Sequence, residues 1–285
     1  MRTTHDQWWQ AANPLHLPRV LAAIDRDTMA PPQERPTADR QLHIVYCCAA
    51  LSLLINHYLK FRSSFRGFLE LLDGWRDLPS GAHLQSLLQT GWYDLLAYCW
   101  WAGWLTVGYV LLPVLCIKLI LRQRLRDYGL RLGRFGAHAP AYLLLVSPII
   151  CFALLASFRE DFQEHYPFYD LAGRSWFDLL AWWCLYAWQF LCLEFFFRGF
   201  LLHAAKRSMG AQAIFVMILP YLMIHFAKPW LEATGAILFG LFLGLLSLRS
   251  GSIWGGFLVH CGIALTMDLA ALYQSGAWPQ RWWPA

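Results

Sequence analysis

Seven stretches of the chain contain no Asp, Glu, Lys or Arg: 42–59, 95–117, 139–158, 179–193, 208–227, 233–248 and 250–267. A bilayer core takes about 20 mostly apolar residues of helix, within a range of roughly 17–25. Most of the stretches reach that length directly. The fourth reaches it by continuing past Glu194 and Arg198 to His203, and the sixth is short. The runs are continuously apolar, whereas transmembrane strands alternate over short segments. Only helices and closed barrels satisfy the backbone in lipid. The pattern therefore predicts an all-α, polytopic membrane helix bundle with about seven transmembrane helices.

The intervening segments differ in kind. Residues 1–41 carry Pro14, Pro18, Pro31, Pro32 and Pro36 with scattered charge and read as a peripheral or partly disordered arm. No short apolar segment with a small-residue cleavage site precedes the first span, so a signal peptide is not expected. Over 61–76, Phe61, Phe65, Phe68, Leu69, Leu72 and Trp75 recur at helical spacing, with Arg62, Arg66, Asp73 and Arg76 between them. That pattern predicts a helix lying in the membrane interface. The expected organisation is an arm over 1–41, transmembrane helices over 42–175, a core over 176–273 and a tail over 274–285.

Composition narrows the class. The 285 residues are 58% hydrophobic and 14% charged, with a mean hydropathy of +0.38. Soluble domains run near 45–50% apolar and about 25% charged, so an ordinary soluble domain, a disordered chain and a disulfide-stapled module are all disfavoured. The 16 Trp residues suit the aromatic belts at bilayer faces. All eight cysteines (Cys47, Cys48, Cys99, Cys116, Cys151, Cys184, Cys192 and Cys261) fall within expected spans, without a CxxC pair. They read as small buried hydrophobes, implying neither a disulfide framework nor a zinc module. The HExxH signature is absent.

The net charge of +5 is an orientation signal, with no nucleic-acid partner implied. The 118–138 connection holds Lys118, Arg122, Arg124, Arg126, Arg131 and Arg134 against Asp127 and should be cytoplasmic. The next connection, with Glu160, Asp161, Glu164 and Asp170 against Arg159 and Arg174, should lie outside. Lys206, Arg207 and Arg249 then return inside, which places the N-terminus in the cytoplasm. Lys60, Arg62 and Arg66 run against this scheme. The expected location is the cytoplasmic (inner) membrane.

Ionisable residues within spans are expensive and mark functional sites. Glu194 and Arg198 stand at i and i+4 on one helix face, where they form either a poised carboxylate or a bundle-ordering ion pair. Tyr221 and His225 precede Lys228, Pro229 and Glu232, and Pro220 and Pro229 bracket this segment as helix breakers. His225 is either functional or bonded to a neighbouring helix, and Lys228 with Glu232 could be an interfacial salt bridge. His260 has Asp268 two turns on, near the end of its span, where Asp268 could equally cap. Counting about 1.5 Å per residue from the cytoplasmic helix ends puts Glu194, His225 and His260 at roughly 18, 22 and 14 Å. One carboxylate and two imidazoles at similar depth suit general-base activation of a water, with donors for an oxyanion.

These elements resemble a known family. Glu194-Phe-Phe-Phe-Arg198-Gly199, the aromatic-xxx-His at Tyr221–His225 and the apolar span around His260 look like the CAAX prenyl protease 2 and bacterial Abi-type (CPBP) intramembrane proteases. The resemblance covers about 176–273, and the stretch 125–133 is similar to the segment often preceding that core. It implies that a glutamate and a histidine activate a water against a peptide bond, while a second histidine and an Asn stabilise the oxyanion. Here the first of two usual glutamates is Leu193 and the Asn is Ala264. Glu194 by a changed helix rotation, Glu232 or Asp268 could supply the carboxylate.

The sequence therefore reads as an intramembrane endopeptidase acting on a membrane-associated protein or peptide. Glu194, His225 and His260 are the expected catalytic residues, supported by Arg198, Lys228, Glu232 and Asp268. No cofactor is required by this chemistry, and the two histidines with Glu194 leave a metal open. The lipid bilayer is the expected partner. Leu193 and Ala264 keep an alternative in play, an inactive relative serving as a membrane binding or immunity scaffold. A transporter ranks last, because no internal repeat is visible.

Overall fold

A computed structural model describes residues 17–228 and 230–284, without the side chains of 231 and 232. Part of the expected arm (1–16), Pro229 and the side chain of Glu232 thus lie outside the described residues. Every regular element described is helical. In chain order they are α1 (Leu17–Thr28), α2 (Arg35–Leu59), α3 (Arg62–Trp75) and α4 (Ala82–Gln89). Next come α5 (Tyr93–Ile120), α6 (Phe135–Ala156), α7 (Glu160–His165) and α8 (Trp176–Met209). Last are α9 (Gln212–Met223), α10 (Trp230–Ser250) and α11 (Trp254–Gln274).

Six of these, α2, α5, α6, α8, α10 and α11, contain stretches long and apolar enough to cross a membrane. The seventh expected span, 208–227, holds the 12-residue α9. At 1.5 Å per residue that is about 18 Å of helix, short of a roughly 30 Å hydrocarbon core. Apolarity continues past Met223, but the backbone turns: Ile224, His225, Phe226 and Lys228 close turn hydrogen bonds. Two of the long helices contain π turns. In α5 these are Val107–Leu111 and Cys116–Ile120, and in α8 the turn is Phe195–Leu201. All eight cysteines are free thiols.

The chain forms two compact units, each assembled from separate stretches. The first comprises Met1–Ala50, Val110–Pro148 and Leu193–His260. In it, the described part of the arm is mostly helical, comprising α1 and the first turns of α2 joined by a turn over 29–34. Val20 and Ile24, one turn apart, are both buried, and the Asp25 carboxylate accepts a 2.7 Å hydrogen bond from the Ala211 N–H at the start of α9. The arm also meets the end of α8: Ala30 N–H donates to the Arg207 carbonyl at 2.7 Å, Arg207 pairs with Glu34 at 2.6 Å, and the Ser208 hydroxyl donates to Asp39. Helix α9 packs on α10 where Ile214, Met217 and Ile218 fit against Gly240 and Gly244, the small-residue contact that membrane helices favour. The 125–133 segment seats the start of α11. Ile253 N–H donates to the Gly129 carbonyl at 3.0 Å, and the Trp254 indole donates to the Leu130 carbonyl at 3.0 Å.

The second unit comprises Leu51–Tyr109, Ile149–Cys192 and Cys261–Ala285. Its core gathers Leu95, Tyr169, Ala172, Leu179, Trp182 and Leu272, with a second cluster of Phe65, Leu69, Tyr93 and Ala97 joining α3 to α5. Helix α3 covers the segment expected to lie in the membrane interface. It buries Phe65 and Leu69 and exposes Leu71 and Trp75. Its Asp73 is buried and accepts from the Gly81 N–H at 2.7 Å, the His83 N–H at 3.0 Å and the His83 ring. Asp178 near the start of α8 is fully buried, with Arg174, Ser175 and Tyr169 all donating to it.

Candidate functional site

The polar centre of the first unit begins at the break in α8. Regular α-helix runs to Glu194, and the next seven residues, Phe195–Leu201, form a π turn whose side chains are all buried. π turns of this kind recur at functional sites. Glu194 and Arg198 themselves are 0% exposed. The guanidinium Nη1 of Arg198 lies 3.1 Å from Glu194 Oε1. A carboxylate so deeply buried without a cation would be strongly disfavoured, and Arg198 supplies one from the same helix.

His260 reaches the same oxygen from α11, with Nε2 3.2 Å from Glu194 Oε1. Adjacent residues of α11 make the approach possible. A Cβ on Gly256 would fall onto the Glu194 carboxylate, nearest to Oε2, and a Cβ on Gly255 would fall into the Tyr142 ring. Oε1 is therefore shared between Arg198 and His260, and Oε2 is the oxygen nearest Gly256.

His225 joins through Tyr221. The Arg198 guanidinium sits 3.9 Å from the centroid of the Tyr221 ring, a cation–π contact made stronger by burial. The Tyr221 and His225 rings meet edge-on at 4.8 Å. The His225 Nδ1 lies 2.8 Å from the Tyr221 carbonyl. A carbonyl only accepts, so Nδ1–H is the donor and the neutral ring keeps a lone pair on Nε2. His225 is also within electrostatic reach of His260, Arg198 and Lys228.

Four of the residues singled out by sequence thus come together in one unit: Glu194, Arg198 and His260 in contact, and His225 one ring away. Lys228 shares the turn of His225, its N–H donating to the His225 carbonyl at 2.9 Å. The side chain of Glu232 lies outside the described residues. Asp268 belongs to the second unit, where its Oδ2 accepts from the Trp182 indole at 2.8 Å and the Trp183 indole at 3.2 Å. Leu193 is buried and brings no carboxylate. Among the described residues no group of three or more His, Cys, Asp or Glu is arranged to hold a metal ion.

Two contributors escape a reading of the sequence alone. Tyr142 lies in an apolar run with no polar neighbour to flag it, and the cation–π partner role of Tyr221 has no signature beyond its aromatic type. The one available signal is the Gly255-Gly256 pair, since glycine inside a helix marks a close approach.

Comparison with known proteins places this site in a family segment. Residues 174–266 match the family model described as type II CAAX prenyl endopeptidase Rce1-like, about a third of the chain. That segment contains Glu194, Arg198, His225 and His260 and bears out the resemblance carried by the three motifs. No curated protein and no solved structure matches the chain.

Proposed function

We propose that this integral membrane protein is an intramembrane endopeptidase that hydrolyses a peptide bond of a membrane-associated protein or peptide. The observation that carries the reading is the fully buried Glu194 carboxylate held between Arg198 and His260 on one oxygen. The two histidines take different roles. His225, with its proton committed to the Tyr221 carbonyl, offers Nε2 as an acceptor and acts with Glu194 on the attacking water. His260, which enters the site from α11 beside Glu194, is the donor for the developing oxyanion. Arg198 neutralises and orients Glu194. The water oxygen forms the new bond to the carbonyl carbon while Glu194 takes one water proton and His225 Nε2 accepts a hydrogen bond from the other; Glu194 then gives its proton to the amine nitrogen as the C–N bond breaks.

The basic 118–138 connection supports a cytoplasmic N-terminus and a site reached from the cytoplasmic side of the inner membrane. The test is cleavage of a fluorogenic peptide ending in a prenylated CAAX sequence, alongside an unprenylated copy, by purified protein in nanodiscs. Glu194→Gln, His225→Ala and His260→Ala should each lose cleavage while remaining folded. Full activity in Glu194→Gln would sink the proposal. Leu193 and Ala264 favour a second reading, an inactive scaffold. Retention of the cellular phenotype by the triple variant would establish it over the first.

A further inference from the structure

Tyr142 lies on α6, outside the segment 174–266 that matches the family. Its side chain is buried, and its hydroxyl, with Ser250 nearby, completes no hydrogen bond of full geometry. If packing against Gly255 were its whole purpose, a phenylalanine ring would serve without burying a hydroxyl, a group that is costly to leave unsatisfied. The neighbouring Ser250 hydroxyl stands within reach of the Tyr142 hydroxyl, but its own proton is directed toward the carbonyls of Ser252 at 3.2 Å and Ser247 at 3.5 Å.

The position of the ring explains the hydroxyl. Gly255 and Gly256 are consecutive on α11; the first makes room for the Tyr142 ring and the second for the Glu194 carboxylate. Ring and carboxylate therefore press on consecutive residues of α11. Tyr142 is within electrostatic reach of both Glu194 and Arg198. The groups that act on Glu194 are Arg198 on its own helix, His260 on α11, Tyr221 on α9 and Tyr142 on α6. Arg198 and His260 both approach Oε1, which leaves the Gly256 side, with Oε2, to a further donor.

We propose that Tyr142 is a positioning residue for Glu194, its phenol O–H donating to the Oε2 side of the carboxylate directly or across one water. Its effect on the orientation of Glu194 holds whatever the chain does. Its effect on cleavage rests on the endopeptidase reading above.

The experiment is isotope-edited infrared spectroscopy of the full chain in nanodiscs. The carboxylate stretch lost in Glu194→Gln identifies Glu194. Tyr142→Phe, which keeps the ring against Gly255, should displace that stretch. Gly255→Ala, which pushes the ring away, should displace it in the same direction. Thermal unfolding in the same nanodiscs confirms that each variant is folded. A stretch at the wild-type frequency in folded Tyr142→Phe would overturn the proposal and leave Tyr142 a packing residue. Cleavage of the prenylated peptide is read separately. There, Tyr142→Phe should lower kcat by about ten- to hundredfold with KM unchanged, the size expected for one hydrogen bond to a charged group. A wild-type chain that cleaves nothing would count against the endopeptidase reading, while the infrared comparison would still decide the role of Tyr142.

Discussion

The Glu194 carboxylate occupies the space that a side chain at Gly256 would need. One helix surface is thereby made to accept a buried acid, and His260, one turn further along α11, reaches the same acid at 3.2 Å. The carboxylate belongs to α8 and its room belongs to α11, so neither segment builds the site alone.

Gly256→Ala should therefore act like a lesion of Glu194 itself. The added Cβ meets both carboxylate oxygens and the carbon between them, and the α8 side chains that follow Glu194 are themselves buried. The acid must leave its contacts with Arg198 and His260. Cleavage of the prenylated peptide by Gly256→Ala should fall at least a hundredfold, since misplacing a catalytic group by about 1 Å costs about that much. Activity within threefold of wild type would show that Glu194 does not need this seat.

Much of this arrangement is legible in the sequence, for identifiable reasons. Glu194, Arg198 and His260 stand out because polar groups are rare inside apolar runs. In the seven-span reading their helices run in opposite directions, which makes similar depth a usable clue. The length of α9 is not legible, because the turn at Ile224–Lys228 is built from residues as apolar as the helix before it. Nor is Tyr142, because a tyrosine in a membrane helix reads as one more amphipathic ring. Asp268 shows the opposite failing: its placement eight residues after His260 is visible, but its two indole partners lie more than eighty residues earlier in the chain.

Those indoles give Asp268 a structural prediction. Trp182 is almost fully buried and Asp268 is fully buried, so their hydrogen bond is closed to solvent. Asp268→Asn retains an acceptor oxygen for both indoles and should unfold close to the wild-type temperature. Asp268→Leu leaves two indole N–H groups without their acceptor, at about 1–3 kcal/mol for the buried Trp182 donor and less for the half-buried Trp183. Thermal unfolding in detergent should place Asp268→Leu well below Asp268→Asn. Equal midpoints would mean that the indole bonds contribute nothing to stability.

The α3–α4 connection should respond to acid. Burial pushes Asp73 upward, but hydrogen bonds from the His83 ring and from the His83 and Gly81 N–H groups outweigh it, and hold its carboxyl below the usual carboxylate range. A carboxylate depressed in the folded state stabilises fully above its unfolded value, about 3.9. That contribution is lost as pH falls through the lower folded value. The amides of Gly81 and His83 should therefore lose protection from hydrogen exchange, relative to amides of the second-unit core, as pH drops below about 4. Asp73→Asn should show the same loss at neutral pH. Protection that stays constant down to pH 2 would contradict the assignment.

The last prediction concerns the arm. The Asp25 carboxylate caps α9 across a sequence gap of 186 residues, accepting from an N–H that the helix itself cannot satisfy. A negative group there also meets the positive end of the helix. Helix α9 ends at the turn that carries His225, so the cap holds one end of the element that presents this histidine. Asp25→Ala should cost about 1 kcal/mol, the usual effect of losing such a cap, and Asp25→Asn, which keeps an acceptor oxygen, less than half of that. If α9 transmits the loss, kcat for the prenylated peptide should drop modestly in Asp25→Ala and recover in Asp25→Asn. The same order should appear in hydrogen exchange at Ala211 and the first turn of α9. Unchanged exchange there in Asp25→Ala would show that the arm rests on α9 without stabilising it.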